Sequence, residues 1–467
     1  MTEKLSYEKK NIWQLVGREE REEIFKMGED YKDFLGTSKT ERWACREIVR
    51  RAEAKGFRNI EELLKSGASL KAGDKVYKVN KEKSLAMFVI GEEDLSEGMN
   101  IIGSHIDAPR LDLKQVPLYE EAGMAYLKTH YYGGIKKYQW LAMPLELHGV
   151  LIKENGEKID VRIGEDESDP VMYITDLLPH LAKDQMAKKA GEFVEGESLN
   201  LLIGSIPVKE DVEGKVKTHM LEILNEKYGI GEEDFISAEL EVVPHGKPRD
   251  LGLDRSMVVG YGHDDRVCAY TSLEAILEVE KPSRTALAFF VDKEEIGSTG
   301  NTAMASKFLE NLLIDLIYLT KGEHNVYLAM KALENSQALS ADVAACFDPE
   351  YKSAYDLSNS SELNKGISLV KYTGSRGKGG SSDANPEFIA KIRNIFNRQQ
   401  VVWQTAELGK VDQGGGGTIA YILAEYGMEV LDCGVGVLSM HAPYEVVSKA
   451  DVYMTYKGYR EFFRNRD

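Results

Sequence analysis

Cysteine is scarce in this chain. Four occur among 467 residues, and Cys45, Cys268, Cys346 and Cys433 stand far apart with no CxxC pair. That spacing argues against thiolate zinc sites and a disulfide framework, and predicts free buried thiols in a reducing compartment. Positive charge is also in deficit: 59 Lys and Arg against 77 Asp and Glu leave a formal net charge of -18. Such a balance disfavours nucleic acid and anionic membrane as partners, although a local cationic pocket can still receive an acidic substrate. No apolar run reaches the roughly 18 residues of a membrane span, so no transmembrane helix is expected. The charged stretch from Met1 to Trp13 lacks the apolar core of a signal peptide. A cytoplasmic protein is the expectation. Phosphate-loop spacing is missing as well. Thr373 to Asp383 is rich in glycine but has no GxxxxGK[ST] pattern, which argues against nucleotide binding.

What is present is an ordinary globular balance, 43% hydrophobic and 29% charged, in a chain long enough for two domains with a core each. The most informative stretch is Val291-Asp292-Lys293-Glu294-Glu295-Ile296-Gly297-Ser298, which follows the apolar run Ala286 to Phe290. The run reads as a buried strand, and chemistry in an open parallel sheet gathers beyond the carboxyl ends of strands. Of two adjacent glutamates there, one can ligate a metal while its neighbour moves a proton. Taken alone the pair is a solvated turn, but other segments share its layout. Asn100 to Arg110 is an apolar strand running into His105-Ile106-Asp107, where Asp107 can hold one ring nitrogen of His105 and leave the other for a metal. His263-Asp264-Asp265-Arg266 precedes a helix-like stretch, Asp342 sits in the apolar run Ala338 to Phe347, and His441 follows a Gly-rich strand. Together they offer two histidines and three or four carboxylates, about what two hydrolytic metals need.

Helical spacing covers much of residues 7–70, notably Glu20 to Phe34 and Thr40 to Ala54, and strands follow at Ser84 to Ile90 and Asn100 to Asp107. Short alternating strands such as Leu145 to Ile152 and Lys158 to Ile163 then mark a mainly β segment. Strand and helix alternate again from Asp254, with helices expected at Thr302 to Leu313, Pro386 to Asn397 and Thr418 to Tyr426. The pattern predicts an α/β fold. A mixed sheet carries helices on both faces, and a β-rich domain is inserted at residues 111–250 between catalytic parts 1–110 and 251–467. Gln413 to Thr418 leads into a helix, where its amides could face a substrate carboxylate or form only a tight turn.

The chain resembles the M18 metalloaminopeptidases, the aspartyl aminopeptidase and aminopeptidase I group of the dinuclear zinc exopeptidases. The matching segments are Ser104 to Arg110, Asp264-Asp265, Asp292 to Ser298, Ser340-Ala341-Asp342 and Met440-His441, in the same order and across nearly the whole chain. The resemblance implies two divalent ions per subunit, zinc with manganese or cobalt as possible replacements. Asp264 bridges them, His105 and Asp342 complete one ion's ligands, and Glu295 and His441 the other's. Glu294 is implied as general base, with Asp107 behind His105. It also implies release of N-terminal residues from short peptides, and self-association of the inserted domain into dimers and up to a tetrahedral dodecamer. His180, in Pro179-His180-Leu181-Ala182, would then approach a neighbour's substrate.

Where the eukaryotic aspartyl group has His-Pro-Asn-Tyr, this chain has Asp348-Pro349-Glu350-Tyr351. Arg376 and Lys378 could receive an acidic side chain, and a neutral preference is equally open. Two other readings compete: a dinuclear deacylase or carboxypeptidase, which recognises a carboxylate instead of an amine, and a noncatalytic scaffold with a relict site.

Overall fold

All seven residues of Thr285–Val291 are buried, the pattern of a strand covered on both faces. In the computed structural model of the chain, which describes residues 5–466, this strand lies within a nine-stranded sheet. The spatial order is Arg58–Asn59, Lys75–Asn80, Ser84–Val89, Thr285–Val291, Met99–His105, Gln337–Ser340, Glu429–Gly434, Ile367–Val370 and Trp403–Thr405. The four strands from Thr285–Val291 to Glu429–Gly434 run parallel. Ser84–Val89 and Ile367–Val370 flank them antiparallel, so the sheet is mixed, as the sequence pattern predicts.

Side-chain alternation splits the core between the two faces. Ile102, Ala288, Phe290, Leu339 and Leu431 belong to one apolar cluster, with helices Arg18–Thr37, Glu41–Ala54, His263–Leu277 and Lys449–Arg464. Ile101, Leu287, Phe289, Ala338 and Val430 belong to the other, with Phe308–Lys321 and Val326–Glu334. The first face includes one close approach that only glycine permits. A Cβ on Gly28 would lie 2.6 Å from Cδ of Lys449, whose buried stem crosses that point to reach Asp250 at 2.8 Å.

The chain divides into two compact units. One contains the sheet above and comprises residues up to Asp107, Pro248–Met440 and residues from Glu445 onward. It also carries a five-stranded sheet, Arg249–Leu251, Met257–Gly260, Glu445–Ser448, Gly436–Leu438 and Ala344–Ala345. The other unit comprises Ala108–Lys247 and the short segment His441–Tyr444. Its strands pair antiparallel in the order Ala238–Pro244, Arg110–Glu121, Met124–Tyr132, Leu201–Gly204, Met172–Tyr173, Pro144–Ile152 and Lys158–Ile163. Because Ala238–Pro244 pairs with Pro144–Ile152 as well, the order closes on itself and leaves few open edges. Trp140 is fully buried, whereas Tyr131 and Tyr138 are exposed.

Three local expectations are corrected. The helix expected at Thr302 to Leu313 forms at Phe308–Lys321. Its first residues are held elsewhere: the Thr302 hydroxyl donates to Asp292 at 2.6 Å and the Thr302 carbonyl accepts the Asp292 N–H. The strand expected from Ala338 to Phe347 stops at Ser340 and resumes only at Ala344–Ala345, so Asp342 lies past the strand end. A helix at Lys215–Tyr228 was not anticipated within the β-rich segment. All four cysteines are buried and free.

Candidate metal centre

Strand register places the first side chains. Val291 pairs with His105, and Ser340 with Gly103. Three neighbouring strands therefore end side by side, and the residues just beyond them, Asp107, Glu294, Glu295 and Asp342, share one edge of the sheet. The helix His263–Leu277 starts at that edge with Asp264 and Asp265 in non-helical conformations, so its first carboxylates project from a turn.

The geometry converges on one ring nitrogen. His105 Nε2 lies 3.2 Å from Asp264 Oδ1, 3.8 Å from Glu294 Oε2 and 3.9 Å from Asp342 Oδ1. Two sets of donor atoms each fall within 4.8 Å of one another: His105, Glu294 and Asp342, and His105, Asp264 and Glu295. On the far side of the ring, His105 Nδ1 is 3.2 Å from Asp107 Oδ1. Asp107 also accepts the backbone N–H groups of Glu294 and Glu295, one on each oxygen. A single buried carboxylate thus positions the imidazole and the glutamate turn together.

The electrostatics fit a cation. Burial, followed by the charge of Glu294, pushes the Asp342 carboxyl well above the usual range. Burial alone would lower His105, but Asp107 and Asp264 outweigh it and raise the ring well above its ordinary value. Protons held in this way are the ones divalent ions displace, since ligands bind deprotonated. Imidazole nitrogen and carboxylate oxygen are donors suited to zinc.

The other sequence-predicted residues are not members of these two donor sets. His441 falls in the β unit, with Nδ1 2.9 Å from the Gly134 carbonyl oxygen. His180 is exposed in a turn of that same unit. Arg376 and Lys378 lie beside the short pairing of Gly374–Ser375 with Gly415–Gly416, so the two glycine-rich stretches meet each other. Lys378 pairs with Asp383 at 2.8 Å and sits over the Tyr372 ring. Arg376 makes no ion pair among the described residues and is exposed.

Sequence reasoning missed the support behind the cluster. Glu445, buried to 1% exposure, accepts the Asp264 N–H at 3.0 Å. Asp265 accepts the His105 N–H at 3.2 Å. A carboxylate opening the short strand Glu445–Ser448 was the available signal for the first. His263 is fully buried with Nδ1 2.5 Å from the Tyr31 hydroxyl, and burial drives its pKa down to about 3.

A mixed α/β sheet with a buried imidazole and carboxylates at its carboxyl edge is an arrangement that can hold a hydrolytic metal ion. Residues 34–463 match the Aminopeptidase I zinc metalloprotease (M18) family. The chain belongs to that family and is a zinc aminopeptidase, a hydrolase acting on peptides. It is 56% identical to a probable M18 family aminopeptidase 1 of Clostridium acetobutylicum, covering 100% of both chains. It is also similar to the crystal structure of an M18 aminopeptidase from Thermotoga maritima, with TM-score 0.94, 46% identity, and coverage of 98% of this chain and 100% of that one. The S. cerevisiae mApe1 dodecamer shares the fold at 22% identity and TM-score 0.76, with coverage of 94% and 96%. Among the described residues, no helix is long and apolar enough to cross a membrane.

Proposed function

We propose that this chain is a dinuclear aminopeptidase that removes N-terminal residues from short peptides. The observation that carries the reading is the gathering of His105, Asp264, Glu295 and Asp342 at one place, with Glu294 adjacent to Glu295 on one turn. Asp264 would bridge two ions, His105 and Asp342 would complete one, and Glu295 the other. His441 joins the second on the family resemblance alone. When bound, such ions polarise a scissile carbonyl and acidify water. Glu294 accepts the proton of the attacking water and returns it to the leaving amine. Asp107 holds the imidazole and the glutamate turn in place through the attack. Zinc is the expected metal, with manganese or cobalt as substitutes.

Arg376, exposed and without an ion pair among the described residues, is the better-placed of the two loop cations to receive an acidic side chain, because Asp383 already occupies Lys378. The N-terminal preference is accordingly acidic or neutral.

The β unit is the oligomerisation domain in this reading. Val171, Tyr173, Leu177, Leu178, Leu181 and Met186 are all exposed within one short stretch, and exposed apolar side chains gathered together mark an interaction surface. Assembly as dimers, up to a dodecamer, would cover them and offer His180 to a neighbour.

Chelation followed by metal restoration tests the reading, with free and N-blocked dipeptides compared side by side. Metal-restored cleavage confined to free amino termini is expected. Faster cleavage of N-blocked peptides would favour a carboxypeptidase or deacylase instead.

A further inference from the structure

Arg266 is fully buried, immediately after the two aspartates that open the helix His263–Leu277. Its Nε donates to the Ile106 carbonyl oxygen at 3.3 Å, and its Nη2 to the Lys39 carbonyl oxygen at 3.0 Å. Its guanidinium stands 5.2 Å from the Tyr261 ring centroid. It makes no ion pair with any carboxylate among the described residues. A buried cation without a paired anion is costly to retain, so its place in the fold calls for a reason.

The reason lies in what its contacts hold. Ile106 joins His105 to Asp107, and three backbone groups of this turn have defined partners. Asp265 accepts the His105 N–H, Val291 accepts the Ile106 N–H at 2.9 Å, and Arg266 donates to the Ile106 carbonyl. Consecutive residues of the helix therefore grip the peptide segment from both ends, while Asp264, the residue before them, faces His105 directly. The guanidinium fork reaches two carbonyls in different directions, which the single ammonium of lysine does not do.

We propose that Arg266 is a positioning residue for the metal centre: by clamping the Ile106 and Lys39 carbonyls it sets the orientation of His105 and of the Asp107 carboxylate against Asp264. The proposal rests on the dinuclear reading above. Loss of such support typically costs 10- to 100-fold in metal affinity or activity.

Zinc titration of the metal-free protein tests it, together with the visible spectrum of the cobalt-substituted form and kcat and KM for one peptide. In Arg266→Met, the affinity for one ion is expected to fall about 10- to 100-fold, with an altered cobalt spectrum and a fall in kcat exceeding any change in KM. Arg266→Lys should lie between Met and the natural protein. Arg51→Met is the control for simple loss of a partly buried arginine. Arg51 bonds Asp30, Glu47 and Glu274, and Glu274 is about 15 Å along the helix from Asp264. That change should lower the thermal midpoint with zinc affinity unaltered. Natural zinc affinity and cobalt spectrum in either folded Arg266 variant would overturn the proposal, and Arg266→Lys decides if Arg266→Met does not fold. A natural protein that binds no zinc would instead sink the reading of the centre itself.

Discussion

Asp107 holds Glu294 by its backbone: Asp107 Oδ1 accepts the Glu294 N–H at 3.2 Å, leaving the Glu294 side chain to face His105 Nε2 at 3.8 Å. The second oxygen takes the Glu295 N–H at the same distance. Asp107→Asn would set an amide N–H against one of these donors and weaken the grip on His105. Zinc affinity or kcat/KM is expected to fall about 10- to 100-fold, read by metal titration and steady-state kinetics. Unchanged values in both would show that the turn needs no such anchor.

Glu294→Gln keeps the shape of the side chain and removes its basicity. A loss of about 10²-fold or more in kcat is expected for a general base, with metal content near that of the natural protein. Elemental analysis alongside kinetics checks this. Loss of both metals would make Glu294 a ligand.

Asp264→Ala and His105→Ala should differ in metal stoichiometry. A bridging carboxylate contributes to both ions and offsets their mutual repulsion, so Asp264→Ala impairs both sites, whereas His105→Ala chiefly impairs one. Equal, one-ion losses in the two variants would remove Asp264 from the bridging position.

The exposed apolar stretch of the β unit predicts self-association. Light scattering should give a mass several times the 52.3 kDa of one chain. Inactive Glu294→Gln subunits mixed with His180→Ala subunits should recover activity if His180 serves a neighbour. A fully active monomer would argue against both points, as would the absence of complementation despite subunit exchange and an inactive His180→Ala parent.

Thiol chemistry should be silent in the native state. Burial, with a smaller contribution from Glu82, pushes the Cys45 thiol up to about 12, and the three other thiols are raised as well. A folded pKa raised above the unfolded value stabilises the fold fully below the unfolded thiol pKa of about 9, and that contribution is lost as pH rises through about 12. Iodoacetamide at pH 8 should therefore label no cysteine in the native protein and all four in denaturant. Rapid native labelling at pH 8 would contradict that burial.

Much of this molecule follows from local pattern. The apolar run Ala286 to Phe290 reads as a strand covered on both faces because β-sheet periodicity and burial act on neighbouring residues. The glutamates after it stand out because charge ends such a run. His105-Ile106-Asp107 is legible for the same reason, and so are helices such as Pro386–Arg398, opened by a proline at its first position. The tertiary structure decided what depends on contacts distant in sequence. Strand register brought His105 beside Asp342, 237 residues later. Thr302 was drawn to Asp292 and out of a helix its own neighbours would favour. His441–Tyr444 joined the β unit although both flanking strands belong to the other. The supporting roles of Arg266 and Glu445 are not legible from the segments that contain them. Their roles come from backbone carbonyl and amide groups that only folding sets before them, and single-residue chemistry holds no record of those partners.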